Sequence, residues 1–272
     1  MTTRRTTGFL GLLLATAATA AQEPKPPAAS TAQAGEVVPA SFRAFIVIDA
    51  RFPLRPNSGA KGDPAPPSMV PSCSHDAKNT APRADDRDPR DRTGKVHDLV
   101  SENGLSPTVA VFVRADAKTL GADSGVAKLA KSLEQKIPDY RADRLGGFVV
   151  FLKLEGPPKT VTLAAPDSAV VELDAEYPDD EKRQVYAAEI CDLAKAAAAP
   201  NVPFALAPVT SKAATAWALG ADDQVTVVIY NRLRVINRWK FDATGPTDEQ
   251  IKEIIAATEE MITGVKKKAK TD

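Results

Sequence analysis

The chain carries only two cysteines, Cys73 and Cys191, far apart and in no Cys-x-x-Cys motif. That excludes a vicinal dithiol and a disulfide-dense scaffold, and it leaves room for one bridge. Histidine is as scarce, with only His75 and His97. Ser101, Ser106 and Ser124 lie in no Gly-x-Ser-x-Gly elbow, so no Ser-His-Asp set can be nominated. Glycine loops that cradle phosphate are missing too, because Gly146-Gly147 precedes a strand-like run instead of opening a helix. Neither sign of charge is in excess: 35 basic residues meet 35 acidic ones. Net charge therefore points to neither a nucleic acid nor a membrane surface as partner.

The N-terminus is patterned for export. Arg4 and Arg5 make a positive start, Gly8 to Ala18 is a short apolar run, and Ala18-Thr19-Ala20 offers the small residues that a signal peptidase requires. A membrane span needs roughly 20 apolar residues, about twice this run. No cysteine follows it to act as a lipobox. The expectation is a cleaved signal over 1–20 and a periplasmic or extracellular protein without stable membrane insertion. Cleavage leaves 33 basic against 35 acidic residues, a net charge of minus two.

What remains is long enough, and at 43% hydrophobic apolar enough, to bury one core. Ala21 to about Pro39 is rich in Pro, Ala and small polar residues. It cannot bury enough apolar area to offset its ordering entropy, so 21–40 reads as a disordered linker. Residues 41–263 read as one domain, interrupted between Pro53 and Thr93 by a segment with eight prolines and the run Ala84-Asp-Asp-Arg-Asp-Pro-Arg-Asp-Arg-Thr93. That composition predicts a disordered insertion. The basic tail, 264–272, is expected to be solvated.

Within the domain, periodicity marks the elements. Buried strands are predicted for Ala44 to Ile48, Thr108 to Val113 and Gly146 to Leu152, each a near-continuous apolar run. Lys95 to Asn103 is predicted as a helix closed by Gly104. Ser124 caps a helix with Val126, Leu129, Ala130 and Leu133 on one face. Thr160 to Leu163 and Ala169 to Leu173 alternate as an inserted hairpin. Asp179 or Asp180 opens a long helix to Ala199, with Val185, Ala188, Ile190, Cys191, Leu193 and Ala194 inward. A short strand over Val202 to Leu206 and a short helix over Ser211 to Leu219 follow. Val225 to Tyr230 and Leu233 to Phe241 make a pair of strands turning at Asn231-Arg232. Thr247-Asp248-Glu249-Gln250 is a capping box for the last helix, whose core face is Ile251, Ile254, Ile255, Thr258 and Ile262. Alternation of strand and helix implies parallel strands covered on both faces, and the late hairpin adds an antiparallel edge.

This order, closing on a hairpin and a helix, resembles the thioredoxin-like superfamily. The likeness is carried by Trp217, Val225-Thr226, Val227-Val-Ile-Tyr230, Asn231 to Arg234 and Val235-Ile236. The wider chain also looks like exported thioredoxin-like proteins of planctomycete bacteria, through Asp91-Arg-Thr-Gly-Lys95 and Gly104-Leu-Ser-Pro-Thr-Val-Ala-Val-Phe112. The resemblance implies an α/β fold, a thioredoxin-like central mixed β-sheet flanked by helices. It also implies a redox pair just after the strand matched by Thr108 to Val113, at a helix start that stabilises a thiolate. Here that stretch is Arg114-Ala-Asp116-Ala-Lys118-Thr119, and the proline that faces the pair in the family corresponds to Val225. The family's disulfide exchange therefore has no residues to act through, and no catalytic residue carries over.

Cys191 sits on an inward helix face and reads as a small buried hydrophobe. Cys73 sits in a polar, proline-flanked segment where a thiol could be accessible. Cys73, His75 and Asp76, with His97 as a fourth, are ligand types suited to copper or zinc, though loosely spaced for a structural site. Asp85 to Arg92 mixes signs too evenly for a calcium loop. Trp217, Tyr230 and Trp239 could line a surface but at their spacing read as core edge. The expectation is a redox-inert module without cofactor that binds a protein partner. The alternatives are a thiol-dependent oxidoreductase using Cys73 or Cys191, or a metal-binding protein.

Overall fold

The computed structural model describes residues 35–38, 41–49, 51, 92–153, 159–162, 170–173 and 180–269. The expected signal, most of the 21–40 linker, the segment from 52 to 91 with Cys73, His75 and Asp76, and residues 270–272 lie outside the described residues.

Seven strands form one mixed sheet: β1 Arg43–Ile48, β2 Val96–Asp98, β3 Thr108–Val113, β4 Gly146–Leu152, β7 Phe204–Ala207, β8 Val225–Asn231 and β9 Arg234–Phe241. Their spatial order is β2-β1-β7-β4-β3-β8-β9. β3, β4 and β7 run parallel, while β8 is antiparallel to β3 and β9 to β8. β1 departs from the expected parallel arrangement and runs antiparallel to β7, with β2 antiparallel on its outer side. The predicted hairpin is present as a separate two-stranded sheet, β5 Lys159–Thr162 against β6 Val170–Leu173.

Central strands are apolar throughout because both faces are covered. Every residue of β3 is buried. On one face Val109, Val111 and Val113 pack with Leu129 and Leu133 of α2 (Gly125–Lys136), Ile190 of α3 (Asp180–Ala197) and Ile254 of α5 (Asp248–Ala269). On the other face Ala110 and Phe112 pack with Phe42, Phe148, Trp217 and Tyr230, beneath α1 (Leu99–Asn103) and α4 (Lys212–Ala216). Trp217 and Tyr230 are thus core, and Trp239 is 4% exposed. Burial pushes the Tyr230 phenol well above its ordinary pKa.

Several boundaries differ from the sequence reading, each for a local reason. The predicted helix from Lys95 is in fact strand β2 followed by α1, because Asp98 intervenes as N-cap. Gly104 does close α1, at φ 56°. In α3 the buried face is Ala187, Ile190, Cys191, Leu193, Ala194 and Ala197, and Val185 is 58% exposed. Helix α5 continues to Ala269, so the start of the basic tail forms its last turns. Residues Gly35 to Val38, expected in the linker, dock on the open edge of β9: Gly35 N donates to Val235 O at 3.0 Å and Val38 N to Leu233 O at 2.8 Å. Covering this edge satisfies backbone groups that would otherwise invite pairing with another chain.

Asp98 does more than cap. Its Oδ1 accepts from Val100 N at 3.1 Å and from Phe42 N at 3.0 Å, and its Oδ2 accepts from Ser101 Oγ at 2.7 Å. Burial alone would raise this carboxyl, but these hydrogen bonds outweigh it and hold the pKa below the ordinary aspartate value. The resulting stabilisation is complete above the unfolded pKa of about 3.9. It is lost as pH falls through the lower folded value. Asp98→Ala is expected to cost about 1–2 kcal/mol in urea unfolding at neutral pH. Asp98→Asn keeps a capping oxygen and should flatten the acid-side decline in the urea midpoint.

Candidate functional site

In an open α/β sheet, ligands sit outside the carboxyl ends of the parallel strands. Here that edge is built by the segment after β3, by Lys153 after β4, and by the loop from α4 into β8. Arg114 N donates to Gln224 O at 2.7 Å, tying the β3 exit to the loop before Val225. Lys153 Nζ reaches Arg114 O at 2.5 Å and Asp116 Oδ1 at 2.6 Å. That hydrogen bond lowers the Asp116 pKa, although the side chain is 49% exposed and solvent screens the pair. Val225 is fully buried opposite Val113, and no peptide bond among the described residues is cis.

The stretch that the resemblance matches to a redox pair, Arg114 to Thr119, does not open a long helix: Asp116 precedes a single 3-10 turn over Ala117–Thr119, and α2 begins only at Gly125, where its start is covered. Ser124 Oγ accepts from Ala127 N at 3.3 Å, while Gly125 N donates to Thr244 O at 3.0 Å. A Cβ on Gly125 would overlap the Pro246 carbonyl oxygen, so the loop between β9 and α5 lies directly on the helix end. An open depression of about 730 Å³ flanks this contact, walled by residues 119–125 and 243–249. Beside it Lys128 Nζ pairs with Asp248 Oδ1 at 2.9 Å. The Gly125 and Ala127 amides are thus engaged, and no sulfur-bearing residue stands between Arg114 and Lys128.

The same edge holds a buried arginine, Arg238, and a half-buried one, Arg114, which no motif in the sequence singles out. Arg114 Nη2 donates to Leu219 O at 3.1 Å and Arg238 Nη1 to Ala218 O at 3.4 Å. The Nε atoms of both are buried without a partner. Arg238 is 7% exposed, and burial pulls its pKa down against the more distant charges of Glu36 and Asp223. The carbonyls they hold belong to a loop with Ala218 at φ 50°, a left-handed conformation unfavourable for alanine. Nearby Asp223 Oδ2 accepts from Gly220 N and pairs with Lys240 Nζ, each at 2.9 Å. Strand alternation was the available signal: Trp239 and Phe241 face one core cluster, which turns Arg238 toward the other.

Of the four predicted ligands only His97 is among the described residues; Cys73, His75 and Asp76 lie outside them. His97 lies on β2 with Nε2 3.1 Å from Glu102 Oε2, in a network where Arg51 bridges Asp49 and Glu102. Asp49, whose carboxylate is 1% exposed, accepts from Arg51 Nε at 2.8 Å and Nη2 at 2.7 Å. No group of three or more His, Cys, Asp or Glu side chains able to hold a metal ion occurs among the described residues. Cys191 is buried on α3 as expected, but its sulfur is disulfide-bonded and is not a free thiol. Cys73, the other cysteine of the chain, lies outside the described residues. At the opposite edge of the sheet a second depression of about 650 Å³ is rimmed by Arg141, Arg144 and Arg232.

No family model and no curated protein matches the chain. Among solved structures, it is similar to an uncharacterized conserved protein from Geobacillus kaustophilus, at 14% identity and TM-score 0.44, over 85% of this chain and 82% of that one. Mycobacterium bovis AhpC matches at 8% identity and TM-score 0.42, over 84% and 91%. A putative thiol:disulfide interchange protein DsbE from Chlorobium tepidum matches at 10% and 0.39, over 83% and 97%. The strand order itself identifies the architecture. A central strand, a helix and a parallel neighbour are followed, after further crossover elements, by an antiparallel hairpin and a closing helix. This is a thioredoxin-like fold.

Proposed function

We propose that this thioredoxin-like domain acts as an exported binding module at the carboxyl edge of its sheet and does not exchange disulfides there. One observation carries the reading. Residues 114–119, which the resemblance matches to the redox pair, carry no sulfur, and the start of the following helix α2 is covered by Thr244 and Pro246 at Gly125. Export is supported by the N-terminal pattern and by the disulfide at Cys191, since such bonds persist in oxidising compartments. No helix among the described residues is long and apolar enough to cross a membrane. The expected partner is a protein.

The bonded state of Cys191 favours a second reading, a thiol-disulfide protein working through that bridge, and one assay separates the two. Dithiothreitol-driven insulin reduction and peroxide consumption are expected to stay at the uncatalysed rate and to be unchanged in Cys191→Ser. An activity that Cys191→Ser abolishes would overturn the binding reading. A glutathione redox titration adds an independent measure. A structural bridge has a potential below roughly −300 mV, whereas a working one lies higher.

A further inference from the structure

The carboxyl edge holds more positive charge than it matches. Lys153 is paired with Asp116, and Lys240 with Asp223. Arg114 and Arg238 have no carboxylate within ion-pair distance among the described residues, and each meets protein through one bond to a main-chain carbonyl. Those carbonyls, Ala218 O and Leu219 O, are consecutive, so the two guanidinium groups converge on one short stretch of loop. Both lie on the sheet face of Thr226 and Val228, since Arg238 pairs with Val228 and Arg114 follows Phe112 in alternation. Arg238 is buried and Arg114 half-buried, so two like charges donate to adjacent carbonyls with part of their hydration lost. A guanidinium is built to bind a planar or tetrahedral oxyanion through two parallel N–H bonds.

From this convergence we propose that Arg114 and Arg238 form a subsite for a single oxyanionic group, a carboxylate or a phosphate, bound against the Ala218-Leu219 turn. The proposal rests on the reading of this edge as a binding surface and names the chemistry that surface selects. The left-handed Ala218 is then part of the site, because it aims consecutive carbonyls at the two arginines. Local strain of this kind gathers at ligand clamps.

The test uses the full chain in three titrations at matched ionic strength: sodium phosphate, sodium succinate and sodium chloride. Thermal midpoints and backbone amide shifts are followed together. Phosphate or succinate is expected to raise the midpoint saturably beyond chloride and to move the Ala218 and Leu219 amides. Arg114→Gln and Arg238→Gln should each weaken the response by about tenfold or more, and Lys252→Gln, an exposed site on α5, should not. The anion that saturates at lower concentration identifies the preferred group. Equal responses to all three salts, or a wild-type response retained in Arg114→Gln, overturn the proposal. If Arg238→Gln does not fold, the half-buried Arg114 and the two amide shifts decide the question alone. Failure here leaves the disulfide-exchange result untouched, so the two readings fall separately.

Discussion

Trp217→Ala is expected to be the most destabilising single substitution in the domain, costing about 3–5 kcal/mol of unfolding free energy. Trp217 is fully buried at the centre of an aromatic cluster. Its ring lies 5.1 Å from Phe112, 5.9 Å from Tyr230 and 6.1 Å from Phe42, in tilted or edge-on arrangements. Such pairs add about 0.5–1.5 kcal/mol each beyond area burial. The cluster joins β1's approach, β3 and β8, so the void cannot collapse without moving a central strand. Urea unfolding measures the loss, and Trp217→Phe should recover more than half of it. Because Trp217 directly precedes Ala218, the alanine variant should also weaken oxyanion binding at Arg114 and Arg238. A loss below about 1 kcal/mol, within the range of an ordinary substitution, would contradict this account of the cluster.

Gly125→Ala is the second, and two principles disagree about its sign. Helix propensity alone favours alanine over glycine by up to about 1 kcal/mol. Packing opposes it. The added Cβ would overlap Pro246 O and lie 2.6 Å from Pro246 N and 2.8 Å from Gly245 C. All three are backbone atoms, so no rotamer change relieves the overlap. The loop between β9 and α5 must lift, which also breaks the bond from Gly125 N to Thr244 O. Overpacking costs about 1–3 kcal/mol, and a backbone obstacle places the expected loss near the top of that range. Thermal unfolding of Gly125→Ala beside Gly121→Ala, whose added Cβ would meet nothing, isolates the packing effect. If Gly125→Ala were as stable as wild type, the closed helix terminus would lose its support.

Much of the fold was legible because its signals are local. The all-apolar runs at Thr108 to Val113 and Gly146 to Leu152 could only be strands covered on both faces. Thr247 and Gln250 form the capping box that their spacing announced, with Thr247 N donating to Gln250 Oε1 at 2.8 Å. Boundaries failed where a side chain served two elements at once. Asp98 turned an apparent helix into a strand and a helix, because its carboxylate caps one while holding Phe42 beside it. The turn between β8 and β9 shows the same limit. Arg232 and Leu233 both adopt positive φ, 50° and 57°, where a two-residue hairpin prefers Asn-Gly. Contacts with Leu105 and Val38 hold that turn, and neither is near it in sequence.

The candidate site divides along the same line. Residue identity settles that 114–119 carry no cysteine and that valine, not proline, precedes Thr226. Those are facts of residue identity, and no folding can alter them. Tertiary packing set what lies along this edge. It set the Thr244 and Pro246 backbone over Gly125, engaged the sulfur of Cys191 in a disulfide, and drew Arg114 and Arg238 onto neighbouring carbonyls. Arginines 124 positions apart carry no mark of shared purpose in a linear chain. They acquire one when strand pairing fixes register, since register sets which side chains share a face and how much water they keep.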